Sequence, residues 1–386
     1  MPLNYTSIPP STLRRTSRRN YTGMFLTTTG LEYEIVTIGK SDMNNLLREA
    51  GVGNMCDIVH DASIEIPVGR YRNALTLNST VPSSKLFNLS TSTSGAEIVT
   101  YPLLPREMHR FIFSSMKAIK SSGVFSVSPR AAIHFHIGYA LSLDTLKKSL
   151  AMGIAVDPLL FGIAGMGNEY RGNVNHSVYA RSLEAGVTVR THNRDTDDYQ
   201  YVLLSPEDAL RADSIDQFLQ VFFTNRNGNR YHPARYFATN VYSLLLKGTL
   251  EFRHFNQCEV PKYIYGVGML CRAITTLTNA MSLKEINKMR KYSIRESSKE
   301  TSKAIFDSLI EQFKRYGVEF AEFDSIIEII KETPEFTFTE EHAPLTHSKA
   351  EIIYRDWMRK VNYDVERSGY IDIHNVESIS TLDERY

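Results

Sequence analysis

The chain has 386 residues, 42% of them hydrophobic and 23% charged, with a formal net charge of +1. That is the composition of a globular protein with enough apolar side chain to bury a core, and its near-neutral balance gives no reason to expect nucleic acid or an anionic membrane as partner. The apolar run 149–166 is interrupted by Asp157, Pro158 and glycines, so nothing in the sequence reads as a membrane span.

Residues 1–22 are rich in Ser, Thr, Pro and Arg and carry no acid; the first acidic residue is Glu32. They read as a disordered basic tail, with an organellar transit peptide as the alternative; no apolar stretch follows that would make a secretory signal. Alternation predicts a strand over 24–39. A helix is expected over Ser41–Ala50, capped by Ser41 and stopped by Gly51. Strand character returns over 55–66 and at Glu97–Tyr101, which Pro102 ends. Helical spacing covers Arg106–Ser121, a strand surrounds His134, and Ser142–Gly153 reads as a helix. The glycine-, asparagine- and arginine-rich stretch 165–194, with Arg171 and Arg181, reads as a mobile functional loop. A helix over Pro206–Phe223, a second polar loop over 226–240 containing Arg230 and Arg235, a strand over Thr249–Phe255 and a buried helix over Pro261–Met281 follow.

Beyond residue 282 Lys, Glu and Arg dominate, and two helices are expected near 303–315 and 320–331. The sequence thus divides into the basic tail, a main domain over 23–282 and a mainly helical extension over 283–386. Cys56, Cys258 and Cys271 are odd in number and form no CxxC pair. That argues against a disulfide framework and a cysteine zinc site, and for a reducing, cytoplasmic compartment.

Three of the strands carry polar pairs two residues apart. Positions i and i+2 of a strand share a face. Glu32 with Glu34, His134 with His136, and Glu251 with Arg253 therefore each point one way, and Leu31, Tyr33, Phe135, Leu250 and Phe252 the other. Carboxylates suit hard divalent cations such as Mg2+, and an imidazole beside them shifts the preference toward Mn2+ or Zn2+. Asp61, Glu65 and Glu97 are further oxygen donors for the same set. A guanidinium binds phosphoryl oxygens in a bidentate fork and stabilises charge developing on them. Each pair alone has a plain explanation: a wet strand face, half-buried histidines, a cross-strand salt bridge. Three together point to metal and phosphoryl chemistry on one sheet face.

Five segments, Gly30-x-Glu32-x-Glu34, Glu97-Ile-Val-Thr-Tyr-Pro102, His134-Phe-His136-Ile-Gly138, Arg235-Tyr-x-x-x-Asn240 and Gly248-Thr-Leu-Glu251-Phe-Arg253-His254-Phe255, resemble in order the amidoligases. These belong to the carboxylate–amine ligase superfamily with glutamine synthetase and glutamate–cysteine ligase. Where family members often carry Asp-Gly-Ser, this chain has Asp61-Ala62-Ser63. The resemblance implies an α+β fold, a curved antiparallel sheet with helices on its outer face and the site in the concave face. It implies ATP with two or three Mg2+ or Mn2+ ions, and an amide or peptide bond formed through an acyl phosphate. Glu32, Glu34, Glu97, His134 and Glu251 would hold metal, and His136 would touch nucleotide or phosphate. Arg253 would stabilise the transferring phosphoryl group, while Arg235 and Asn240 would face substrate or phosphate. Expected partners are small-molecule or peptide carboxylates and amines, chosen by the loops 165–194 and 226–235. A glutamine amidotransferase-type partner and a homo-oligomer also fit the family. Two other readings compete: a catalytically silent amidoligase fold used for binding or assembly, and a metal-dependent hydrolase built on His134 and His136. The hydrolase leaves Glu32, Glu34 and Arg253 unexplained.

Overall fold

The structure is a computed structural model that describes residues 28–35, 40–60, 96–122, 131–164, 180, 182–185, 187–193, 198–204, 206–223, 233–258, 260–296 and 298–332. Asp61, Glu65, Arg171, Arg181 and Arg230, and most of the two expected loops, lie outside those residues.

The molecule is mixed α and β. Strands β1 (Thr29–Ile35), β2 (Cys56–His60), β3 (Ala96–Thr100), β4 (Ala132–Gly138), β7 (Thr239–Asn240) and β8 (Thr249–Asn256) form one sheet, while β5 (Val187–Asn193) and β6 (Asp198–Leu204) form a separate hairpin pair. The six-stranded order is β2-β3-β1-β4-β8-β7, and every neighbouring pair is antiparallel. The helices are α1 (Lys40–Glu49), α2 (Pro105–Ser122), α3 (Leu143–Ala164), α4 (Pro206–Leu210), α5 (Ile215–Phe223), α6 (Ser243–Lys247), α7 (Pro261–Ala280), α8 (Leu283–Met289), α9 (Lys299–Tyr316) and α10 (Phe323–Glu332).

Alternation decides which way the sheet faces. Leu31, Tyr33, Ile98, Ile133, Phe135 and Phe252 are all buried in the apolar core, and α3 and α7 pack there against β8 and β4. A β-bulge lies at His134: Phe135 stands opposite Phe252 and Ile133 opposite Phe255, so two residues of β8, Arg253 and His254, span one residue of β4. The bulge is why both Phe252 and Phe255 reach the core although they stand three positions apart.

Several expected boundaries differ. The helix expected to end at Gly153 continues to Ala164 as α3, and Pro158 is accommodated inside it. All its residues from Ser149 to Ala164 are buried, so burial outweighs the weak helix preference of glycine and the lost proline N–H. A Cβ at Gly153 would meet Leu183 Cδ1 at 2.5 Å, so the glycine marks a close approach rather than a stop. Residues 187–193, expected to be loop, are strand β5. The helix expected over 206–223 is two helices, with Gln217 N donating to Ser214 Oγ at the start of the second. Helix α1 begins at Lys40, which puts Ser41 in its first turn rather than at its cap. No described helix is long and apolar enough to cross a membrane. Helices α8 and α9 pack on α3, and α10 on α7. The three cysteines are free and buried.

The strand that carries His134 and His136 is seated through one glycine of α7. A Cβ on Gly268 would stand 2.2 Å from Met108 Cε and 2.6 Å from Phe135 Cε1. The methionine end can swing away, but the ring, fixed in the core, cannot. Gly268→Ala is expected to cost about 1–3 kcal/mol, read as a lower urea midpoint with an unchanged slope; an unchanged midpoint would mean that α7 slides freely on the sheet.

Candidate functional site

Register brings the polar pairs together. Glu32 of β1 stands opposite His134 of β4, and Glu34 opposite Glu97 of β3. His136 stands opposite Glu251 of β8, which in turn faces Asn240 of β7. Five strands thus deliver their chemistry to one face.

At the centre, His136 Nε2 lies 3.0 Å from Glu32 Oε1 and 3.5 Å from Glu251 Oε1. Glu32, His136 and Glu251 are buried, and each offers a ligand atom within 4.8 Å of the others'. His134 Nδ1 is 3.3 Å from Glu32 Oε2 and 3.8 Å from Glu251 Oε1. An imidazole nitrogen facing two carboxylate oxygens requires a proton or a cation between them. Two carboxylates and one or two imidazoles around a point are a donor set for Mg2+ or, better, Mn2+.

Cationic side chains border the cluster. Arg253 Nη1 donates to Glu251 Oε1 at 2.7 Å, and Lys247 Nζ donates to Glu32 Oε1 at 2.8 Å. Asn240 Nδ2 donates to the other oxygen of Glu251, and Asn240 Oδ1 accepts from Ser243 N at 3.3 Å, tying β7 to the start of α6. The far nitrogen of His136 is 3.0 Å from Thr249 Oγ1, which also meets Ser243 Oγ at 3.0 Å. These contacts orient the ring as outer partners orient metal-binding histidines.

The charges hold one another. Burial opposes ionisation of Glu251, but His136, Arg253 and Lys247 outweigh it and bring its pKa down to about 2. For Glu32, too, burial is overcome, here by Lys247 and the two histidines, and the carboxyl titrates well below the usual range. Both are therefore carboxylates at neutral pH. Burial, reinforced by Arg253, lowers the pKa of His134 and favours its neutral, ligand-competent form, although Glu32 and Glu251 pull the other way. Burial disfavours the charge on Lys247, yet Glu32, Glu251 and Glu97 raise its pKa above the usual lysine value.

The remaining expected residues are placed as follows. One oxygen of Glu34 accepts from Ala132 N at 2.8 Å, which commits it to the start of β4. Glu97 is half-buried beside it in register. Arg235 is half-buried in the 3-10 turn Pro233–Tyr236, just ahead of β7.

Two features escaped the sequence reading. Lys247 ends α6, and strand alternation says nothing of a side chain in the preceding turn; its only signal is its place four residues before Glu251, across Gly248, whose φ of 67° turns the chain into β8. The second is a polar knot on the helical side of the sheet. Asp157 of α3, wholly buried, accepts from Ser182 Oγ at 2.9 Å and Leu183 N at 3.0 Å, and lies 2.9 Å from His254 Nε2. Asp157 had signalled itself as a lone acid in an apolar helix.

No family model matches the chain, and no curated protein does. Among solved structures it is similar to a chain of the complex between the prokaryotic ubiquitin-like protein Pup and its ligase PafA. That match has 10% sequence identity, covers 94% of this chain and 73% of that one, and has a TM-score of 0.28. At that distance it carries no argument, and the functional reading rests on the residues.

Proposed function

We propose that this protein is an ATP-dependent carboxylate–amine ligase of the amidoligase type. One observation carries the reading: Glu32, His136 and Glu251, from three different strands, bring ligand atoms within 4.8 Å of one another, with the Arg253 guanidinium directly on Glu251. In the reaction, a substrate carboxylate oxygen takes the γ-phosphoryl group of ATP and ADP leaves. An amine then attacks the acyl carbon, phosphate departs with the C–O bond pair, and the amine loses a proton.

Phosphoryl transfer asks for positioning and charge neutralisation rather than covalent help, and this residue set offers both. Glu32, His136 and Glu251 would hold a divalent cation, with His134, Glu34 and Glu97 extending the set. A bound Mg2+ or Mn2+ would supply neutralisation of phosphate charge. Arg253, fixed by Glu251, would carry the positive charge that faces the phosphoryl oxygens. Asn240 holds Glu251 in orientation, and Arg235, in the turn just ahead of β7, would serve as a substrate or phosphate contact. The carboxylate is a small molecule or peptide, and the amine its co-substrate.

The test is calorimetric titration of ATP with Mg2+ or Mn2+ into the wild type and Glu251→Gln. The wild type is expected to bind ATP only with metal, and the variant at least ~10-fold more weakly. Absence of ATP binding with either metal would leave the silent-fold reading, with the polar face serving as a docking surface.

A further inference from the structure

We infer that Asp157, on the helical side of the sheet, is a positioning residue for the polar face: it clamps β7 against β8 from behind and so fixes where Asn240, Glu251 and Arg253 stand. The inference rests on the ligase reading above and adds to it a part that lies outside the cluster itself.

The first argument is placement. Thr239 precedes Asn240 in β7, and His254 follows Arg253 in β8. Asp157 Oδ1 lies 2.9 Å from His254 Nε2 and accepts from Thr239 Oγ1 at the longer distance of 3.5 Å. On the opposite face Glu251 does the same with the adjoining residues. One of its oxygens accepts from Asn240 Nδ2, the other from Arg253 Nη1. Two buried carboxylates, one on each side of the sheet, thus tie the same two strands at neighbouring positions.

The second argument is need. β7 is two residues long and lies at the edge of the sheet, so its ladder to β8 offers few bonds. On its other side β8 carries the bulge, at Arg253 and His254, and a bulge leaves its extra residue out of the ladder. The main chain therefore constrains Arg253 least where its aim matters most. Arg253 N does donate to Ala238 O at 2.7 Å, but that bond serves only while β7 keeps its seat.

The third argument is construction. Gly153 and Asp157 are about one turn apart on α3 and share a face. A Cβ at Gly153 would meet Thr239 Cγ2 at 2.9 Å, so the glycine lets α3 press on β7 beside the point that Asp157 reaches. Ser182 Oγ and Leu183 N hold the carboxylate by Oδ2, which leaves Oδ1 for the strands. His254 Nδ1 has no hydrogen-bond partner among the described residues, so the bond to Asp157 is what directs the ring. Burying an unexposed carboxylate is expensive, and well-packed apolar residues would stabilise the fold as well or better. What they cannot supply is direction.

The experiment is calorimetric titration of ATP with Mn2+ into the full chain, with urea midpoints measured alongside. His254→Phe removes the N–H but keeps a ring among Phe161, Phe252 and Phe255. It is expected to bind ATP at least ~10-fold more weakly than wild type. His254→Gln, whose amide can donate in place of Nε2, is expected to return to within a few-fold. Ser182→Ala loosens the same carboxylate without touching either strand, and is expected to lower the urea midpoint and leave ATP affinity unchanged. If His254→Phe does not fold, Thr239→Val, which removes only the hydroxyl, takes its place with a loss in the same direction. Wild-type affinity in His254→Phe, a loss that His254→Gln does not restore, or an equal loss in Ser182→Ala would overturn the positioning role while the ligase reading stands. No ATP binding by the wild type itself would overturn the ligase reading and this inference with it, a separate and recognisable result.

Discussion

On the proposed ligase reading, Arg253→Lys is expected to reduce ADP formation by at least about 10³-fold while metal affinity stays within a few-fold of wild type. The expectation follows from how the guanidinium is held. One of its nitrogens is spent on Glu251 at 2.7 Å, and burial, which works against its charge, is outweighed by Glu251, Glu32 and Glu34. A planar guanidinium can meet two oxygens at once as a fork, whereas an ammonium is a point charge with no second edge to offer. Lysine keeps the charge balance around Glu251, so the variant isolates the geometry of the fork. The measurement is ADP release with ATP, Mg2+ and a panel of amino acids and peptides, with hydroxylamine present to capture acyl phosphate as hydroxamate. Equal turnover by the two proteins would remove Arg253 from the phosphoryl step.

Asp157→Ala should cause a large stability loss of about 3–5 kcal/mol. Asp157 has no solvent exposure, and its carboxylate serves Ser182 Oγ, Leu183 N and His254 at once, with Thr239 Oγ1 at 3.5 Å. Truncation strands several buried donors in apolar surroundings, next to Phe161 whose ring meets His254 edge-on at 4.8 Å. Urea unfolding followed by circular dichroism and tyrosine fluorescence reads the loss. A shift below about 1 kcal/mol would show that water reaches the knot and satisfies it.

The polar face was legible because strand periodicity is an unforgiving code. Once Glu32 and Glu34 alternate with Leu31, Tyr33 and Ile35, burial of the apolar set fixes the direction of the acids. The same rule placed His136 and Glu251. What it does not give is register across strands, which depends on contacts far apart in sequence; Glu32 opposite His134 is a fact about residues 102 positions apart. Nor does it reach Lys247, whose helix is only five residues long and carries no periodic signal of its own. Helix α3 was cut short because glycine and proline weaken helices on average, while tertiary burial decided this one. Strand β5 was read as loop because polar composition describes exposure, not backbone shape.

Between Phe252 and Phe255 strand β8 holds two residues where β4 holds one, and only one of them, Arg253, belongs to the polar face. Deleting His254 would restore strict alternation, with Arg253 still opposite His134 and Phe255 still opposite Ile133. Deleting Arg253 instead would restore the same pattern but take the guanidinium off the polar face. His254 is thus a residue that the sheet does not require for its pattern, and what it adds is the contact with Asp157. Without it the same acids and the same guanidinium would sit on a strand less firmly moored to the helix behind.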